Sequence, residues 1–139
     1  MPLPYQELLT RYKRKHVKFV EPRQGFNSLH KSLWLAYSMG RKRGFTDLGT
    51  YANKPGDHGY WPAVAFDLGR NNRFYNKGFN YLVARRLALM YWKHRDALAI
   101  DYVILGRKII SRAHPYWRPY TRDTSHDWHV HVSGVERPN

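Results

Sequence analysis

Three histidines lie within six residues near the carboxyl end of the sequence, His126, His129 and His131 in SHDWHVHVSG. In a β-strand alternate side chains share a face, so we expect His129 and His131 to project together while Val130 and Val132 enter the core. Two imidazoles on one face can reach a single zinc ion, or one can bind the ion while the other transfers protons. His126 precedes the strand in a turn and need not face the other two. The plainer alternative is a surface strand that carries imidazoles.

Further candidate ligands occur in GDHGYWPAVAFDLG, residues 56–69, which places His58 in a loop and Asp67 in an apolar strand. A catalytic zinc ion usually has three protein ligands and keeps a fourth position for water. Carboxylates are rarely buried without a partner, so Asp67 between Phe66 and Leu68 needs an explanation. A metal ion is one explanation, and exposure of that strand at a sheet edge is another. His58 also fits an ordinary turn.

The elements that must position these side chains follow from apolar periodicity and turn residues. The pattern predicts one α+β domain over residues 1–139, in which a small antiparallel sheet packs with helices. The expected helices are a short one within residues 1–14, a second capped by Asn27 or Ser28, and a long one over about residues 76–96 with the apolar stripe Phe79, Leu82, Val83, Leu87, Met90 and Tyr91. The expected strands are residues 16–20, 45–51, 63–68, 100–105, 108–112 and 128–133, with a hairpin between the fourth and fifth.

The composition is that of a globular and strongly basic protein. Of the 139 residues, 42% are hydrophobic and 16% aromatic, contents that a disordered chain does not reach. The net charge of +14 predicts attraction to a polyanion, which can be nucleic acid, an anionic cell wall or an acidic assembly partner. The absence of cysteine excludes disulfides, thiolate zinc sites and a cysteine nucleophile. The remaining histidines are expected to be solvated: His16, His30, His94 and His114.

Two stretches of the sequence resemble the peptidase M15 family of zinc-dependent D-Ala-D-Ala carboxypeptidases and L-Ala-D-Glu endopeptidases. The family pattern is Ser-x-His-x(6)-Asp, often ending in Gly-x-Ala-x-Asp, and Ala65-Phe66-Asp67 matches its last part. YWRPYTRDTSHDWHVHVSG, residues 116–134, is similar to the carboxy-terminal segment of M15-like proteins from actinobacterial phages. The resemblance spans about residues 45–134 and leaves residues 1–44 as a helical extension. It implies the hedgehog/DD-peptidase fold.

The resemblance also implies a role for each matching residue. His58, Asp67 and His131 would be the metal ligands, with Zn²⁺ as the cofactor. His129 would lie next to the metal-bound water as the catalytic base. His58 and Asp67 are nine residues apart, which is two more than in the family pattern.

Three further residues are candidates for binding a substrate. Members of the family often carry an arginine upstream of the first histidine, which polarises the scissile carbonyl, and only Lys54 is available here. Trp117 and Arg118 belong to an aromatic loop that could form one wall of a groove. Arg118 could instead stack on neighbouring aromatic rings or pair with a carboxylate.

The first functional hypothesis is a zinc-dependent peptidoglycan peptidase of phage type, which hydrolyses an amide of the stem peptide or cross-bridge. The second is a phage virion structural or accessory protein that binds acidic shell proteins or DNA through its basic surface. A metal-dependent nuclease is a third. The sequence shows no signal peptide and no run of apolar residues suited to a membrane span, so we expect a location in the host cytoplasm before lysis or in the virion.

Overall fold

The computed structural model describes residues 2–70, 78–121 and 129–136. Three α-helices lie within these ranges, α1 (Tyr5–Lys15), α2 (Trp34–Lys42) and α3 (Gly78–Lys93). The strands are β1 (Thr46–Gly49), β2 (Ala65–Gly69), β3 (Ile100–Leu105), β4 (Lys108–Ser111), β5 (Arg118–Pro119) and β6 (His129–Gly134). Short 3-10 turns occupy Phe26–Ser28, Lys31–Leu33 and Asp57–Gly59. None of the described helices is long and apolar enough to cross a membrane.

The strands form one antiparallel sheet with the order β1-β2-β6-β3-β4-β5. β3 and β4 are joined by the predicted hairpin, in which Gly106 adopts the positive φ of 59° that a tight two-residue turn requires. β6, the last strand in sequence, lies between β2 and β3 and so occupies the centre of the sheet. The described chain is therefore a single domain of mixed helix and strand, as the sequence pattern predicts.

The two faces of the sheet have different surroundings. Val130 and Val132 of β6 are fully buried and belong to the same hydrophobic core as Phe66, Leu68 and the buried side chains of α2 and α3. Because side chains alternate along a strand, the neighbouring residues Asp67, His129 and His131 lie on the opposite face. The predicted orientation of the histidine strand is confirmed.

The helices begin where charge and steric preference favour them. α1 follows Pro4, has Glu7 in its first turn and has three basic residues in its last turn, which suits the helix dipole.

In α3 the buried stripe runs through Ala84, Leu87, Ala88 and Tyr91. The predicted stripe was wrong at Leu82, of which 57% is exposed, and the side chain of Phe79 lies outside the described residues.

Two predicted elements near the amino terminus were wrong. Residues 16–20 do not form a strand, because side chains use their backbone groups: the Tyr12 hydroxyl donates to the Lys18 carbonyl and Ser38 Oγ accepts from the Val20 amide. The second helix begins at Trp34, well after the predicted caps Asn27 and Ser28, which lie in a 3-10 turn. An isolated bridge to Ala63 pairs with extended backbone at Leu29, and the 3-10 turn Lys31–Leu33 then leads into the helix.

The prediction that all four remaining histidines are solvated was wrong for His94. The residue is 8% exposed, and its Nδ1 accepts a hydrogen bond from the Leu3 amide at 3.2 Å. His126 and the predicted strand start at Trp128 lie outside the described residues.

Candidate metal centre

Three separate segments position the candidate ligands. Asp67 is the central residue of β2, and His131 of β6 is paired directly opposite to it. His58 lies in the 3-10 turn Asp57–Gly59, and its side chain meets Asp67 and His131 on the sheet face opposite Val130 and Val132. The turn is held by backbone bonds from the Ala52 amide to the His58 carbonyl and from the Val64 amide to the Asp57 carbonyl. Strand pairing and a tethered turn thus bring residues distant in sequence together.

The ligand atoms of these three residues converge on one point. His58 Nε2 is 3.2 Å from Asp67 Oδ2 and 3.3 Å from His131 Nδ1, and His131 Nδ1 is 2.9 Å from Asp67 Oδ1. The two histidines face different oxygens of the carboxylate, and one ligand atom from each of the three residues lies within 4.8 Å of the other two. Two ligands bound tetrahedrally to zinc at 2.0–2.1 Å are about 3.3–3.4 Å apart. His58, Asp67 and His131 can therefore hold a metal ion.

The atoms on the far side of each imidazole fix its orientation. His58 Nδ1 lies 2.6 Å from the Thr50 carbonyl, which can only accept a hydrogen bond, so Nδ1 carries the proton and Nε2 faces the centre. His131 Nε2 lies 2.8 Å from Ser133 Oγ, which leaves Nδ1 for the centre. Such outer partners are the usual companions of histidines that bind metals.

Aromatic packing supports the same arrangement. The ring of Tyr102 on β3 stacks on His131, with centroids 5.5 Å apart and planes inclined by 21°. The Tyr102 hydroxyl donates to Asp57 Oδ2 at 3.0 Å, next to His58 in the chain. Tyr102 thereby links the His131 strand to the His58 turn.

Burial and charge determine which protonation states are favoured. Burial alone would raise the pKa of Asp67, but hydrogen bonds from His131 and His58 and their charges outweigh it and hold the pKa well below its usual value. Burial alone would lower the pKa of His58, but the hydrogen bond and charge of Asp67 and the Thr50 carbonyl raise it. The protonated form of His58 and the ionised form of Asp67 thus stabilise each other. A divalent cation would supply the same positive charge.

His129 lies at the edge of this cluster. It is 7% exposed, and its Nε2 is 3.7 Å from Asp67 Oδ1, farther than the atoms of His58 and His131. About 18% of the Asp67 side chain is exposed, so solvent reaches part of this side chain. The arrangement therefore places an additional imidazole beside the three candidate ligands.

The three candidate substrate-binding residues lie in different places. Lys54 is exposed, and its charge acts on His58. Trp117 is partly buried and packs against the hydrophobic core, and the Arg118 guanidinium donates to the His114 carbonyl and the Ser111 hydroxyl. β5, which contains Arg118, is separated from β6 by β3 and β4, which corresponds to about 14 Å at the usual strand spacing.

Sequence reasoning did not identify several residues that support the site. Ser133 follows His131 by two positions, so the alternation of the strand could have placed it on the same face. Thr50 acts through its backbone carbonyl and Tyr102 comes from another strand, and neither has a local sequence signal. An aromatic pair next to the His58 turn was also missed: the rings of the exposed Trp61 and the half-buried Tyr51 meet edge to face at 5.3 Å.

No family model, curated protein or solved structure matches this chain. The resemblance to peptidase M15 is accordingly a hypothesis based on the motifs at residues 58–67 and 116–134.

Proposed function

We propose that this protein is a zinc-dependent hydrolase that cleaves an amide bond of bacterial peptidoglycan. The observation that carries the proposal is the convergence of His58 Nε2, the Asp67 carboxylate and His131 Nδ1 at separations of 2.9–3.3 Å. Two imidazoles and one carboxylate are a donor set that suits zinc, whereas sites for magnesium or calcium are built from oxygen ligands. A three-ligand site reached by solvent is typical of catalytic zinc and not of structural zinc, which has four protein ligands.

In the proposed hydrolysis, the zinc ion and the protein side chains have different roles. Zinc in such a site lowers the pKa of water to about 7 and polarises an amide carbonyl. His129 accepts the proton of the attacking water and donates it to the leaving amine. Thr50 and Ser133 hold the two ligand imidazoles in the required orientation. Asp67 provides the negative charge that attracts the cation.

The choice of peptidoglycan as substrate has three supports. The resemblance to peptidase M15 implies it, and the net charge of +14 favours adsorption to an anionic cell wall. Trp61, 58% exposed, and Tyr51 stand next to the His58 turn and offer an apolar surface to a sugar or peptide. Under this proposal the protein acts from the host cytoplasm at lysis or from the virion.

The experiment is to incubate zinc-loaded protein with purified peptidoglycan and to measure newly released amino groups. We expect His129→Ala to reduce the rate by about 100-fold or more while zinc content is retained, because general acid–base catalysis contributes 10²–10⁴-fold. His114→Ala, at an exposed histidine that is not part of the candidate centre, is the matched control and should keep the wild-type rate. Failure of the zinc-loaded wild type to release amines would refute the peptidase proposal and favour the virion-protein hypothesis.

A further inference from the structure

A concave site lies among the helices, away from the metal centre. It is a cavity of about 700 Å³ lined by α1, the carboxyl ends of α2 and α3, and Leu3. None of the metal-centre residues lines it. Small-molecule sites usually have volumes of about 300–1,000 Å³, so the size suits an organic ligand and greatly exceeds that of a single inorganic ion.

The rim of this cavity is strongly basic. Five cationic side chains line it: Arg11, Arg14, Lys15, Lys42 and Arg43. Among the described residues that line it there is no aspartate or glutamate. One of the five, Arg11, forms an exposed ion pair with Glu7 at 3.2 Å, which contributes little at a solvated surface. A cleft lined by charges of one sign has a stronger electrostatic potential than a convex surface with the same charges.

The positive potential of the cavity also affects the pKa of His94, which lies in the cavity wall. Burial lowers the pKa of His94, and the nearby charges of Lys93, Arg43 and Arg11 lower it further. His94 Nδ1 accepts the hydrogen bond from the Leu3 amide, so the neutral ring fixes one wall of the cavity. The positive charge is therefore on the arginines and lysines.

The interior of the cavity is apolar. Leu8 and Tyr12 of α1 are buried, and Leu3, Met39 and Met90 are partly exposed. Methionine side chains adapt to ligands of irregular shape. An apolar interior beneath a cationic rim fits a molecule that has an apolar part and a multiply charged anionic part.

We infer that this cavity binds a phosphate ester whose organic part presents an apolar group or face, such as the base of a nucleotide or the acyl chains of a lipid phosphate. A phosphate monoester carries up to two negative charges, and the planar guanidinium of arginine can bind two of its oxygens at once. The five basic side chains far exceed what a single carboxylate would need. The apolar group would contact Met39 and Met90 while the phosphate meets the rim.

The experiment is a calorimetric titration at constant ionic strength with three probes: inorganic phosphate, adenosine monophosphate and monomeric dioctanoyl phosphatidic acid. We expect saturable binding of at least one organic phosphate, at least 10-fold tighter than that of inorganic phosphate. The preferred organic probe identifies the source of the ligand. The double variant Arg14→Glu/Arg43→Glu should weaken this binding by at least 10-fold.

The matched control is Arg85→Glu/Arg86→Glu, which changes the net charge by the same amount on exposed residues of α3 outside the cavity. It should bind within about twofold of the wild type, since long-range steering alone is weak at moderate salt. The glutamine pairs Arg14→Gln/Arg43→Gln and Arg85→Gln/Arg86→Gln repeat the comparison if charge reversal prevents folding. Equal losses in both pairs, equal binding of all three probes, or no saturable binding would each overturn the inference. The zinc centre is unchanged in these variants, so this outcome is independent of the peptidase proposal.

Discussion

Replacement of Asp67 by asparagine separates metal binding from fold stability. A ligand that binds only the folded state stabilises it by RT ln(1 + [L]/Kd), which is about 4 kcal/mol when free zinc exceeds Kd a thousandfold. For a domain of this size each kcal/mol raises Tm by about 3 °C, so zinc should raise the Tm of the chelator-stripped wild type by about 12 °C. Asparagine keeps the shape of Asp67 but lacks the charge that attracts the cation. The zinc-induced shift in Asp67→Asn should fall below about 2 °C.

The assay is thermal unfolding followed by circular dichroism, with and without zinc, combined with measurement of bound zinc per chain. Without zinc, Asp67→Asn should itself lose about 1–3 kcal/mol, because charged hydrogen bonds to His58 and His131 become neutral ones. Asp96→Asn is the matched control, since Asp96 is 78% exposed and pairs with Arg112 at the surface. A zinc-induced shift of equal size in the wild type and Asp67→Asn would refute the assignment of Asp67 as a ligand.

Three further predictions concern the same region. The pKa of His58 is raised, so its protonated form stabilises the metal-free fold below pH 6.5, and this contribution is lost as pH rises through the folded pKa. Because zinc displaces that proton, zinc affinity measured by competition with a chelator should increase over the same pH interval, and an affinity independent of pH would contradict this prediction. Ser133→Ala removes the hydroxyl beside His131 Nε2 and should weaken zinc binding by about 10-fold without loss of the fold, while an unchanged Kd would show that the hydroxyl does not orient the ring. Trp61→Ala should raise KM for peptidoglycan several-fold with little change in kcat, whereas truncation of the exposed Tyr5 on α1 should change neither; equal effects of the two would remove Trp61 from the substrate surface.

The aromatic residues around Trp117 are a case in which the sequence did not predict the role of the side chains correctly. Its composition suggested a groove wall, yet Trp117 packs against the core, and Arg118 uses its guanidinium on the His114 carbonyl and the Ser111 hydroxyl. The sequence alone does not distinguish an apolar side chain that contacts a substrate from one that packs in the core. Leu82 shows the converse, since it fits a helical apolar pattern but is exposed in the fold.

The sequence by itself determined the features that depend on local backbone geometry. The two-residue period of a strand placed His129 and His131 on one face and Val130 and Val132 on the other. Apolar runs and turn residues likewise located β2, the hairpin and α3 to within a few residues, and the aspartate within an apolar strand marked a position that needs a charged partner.

The tertiary structure decided which of these residues meet. β6 enters the sheet between β2 and β3, so His131 lies opposite Asp67 across 64 residues of sequence, and a turn tethered to Thr50 and Ala52 brings in His58. The basic cavity arises in the same way, from helix ends that are adjacent only after packing. Register between distant strands depends on the burial of whole faces and on loop closure, and no local periodicity encodes either.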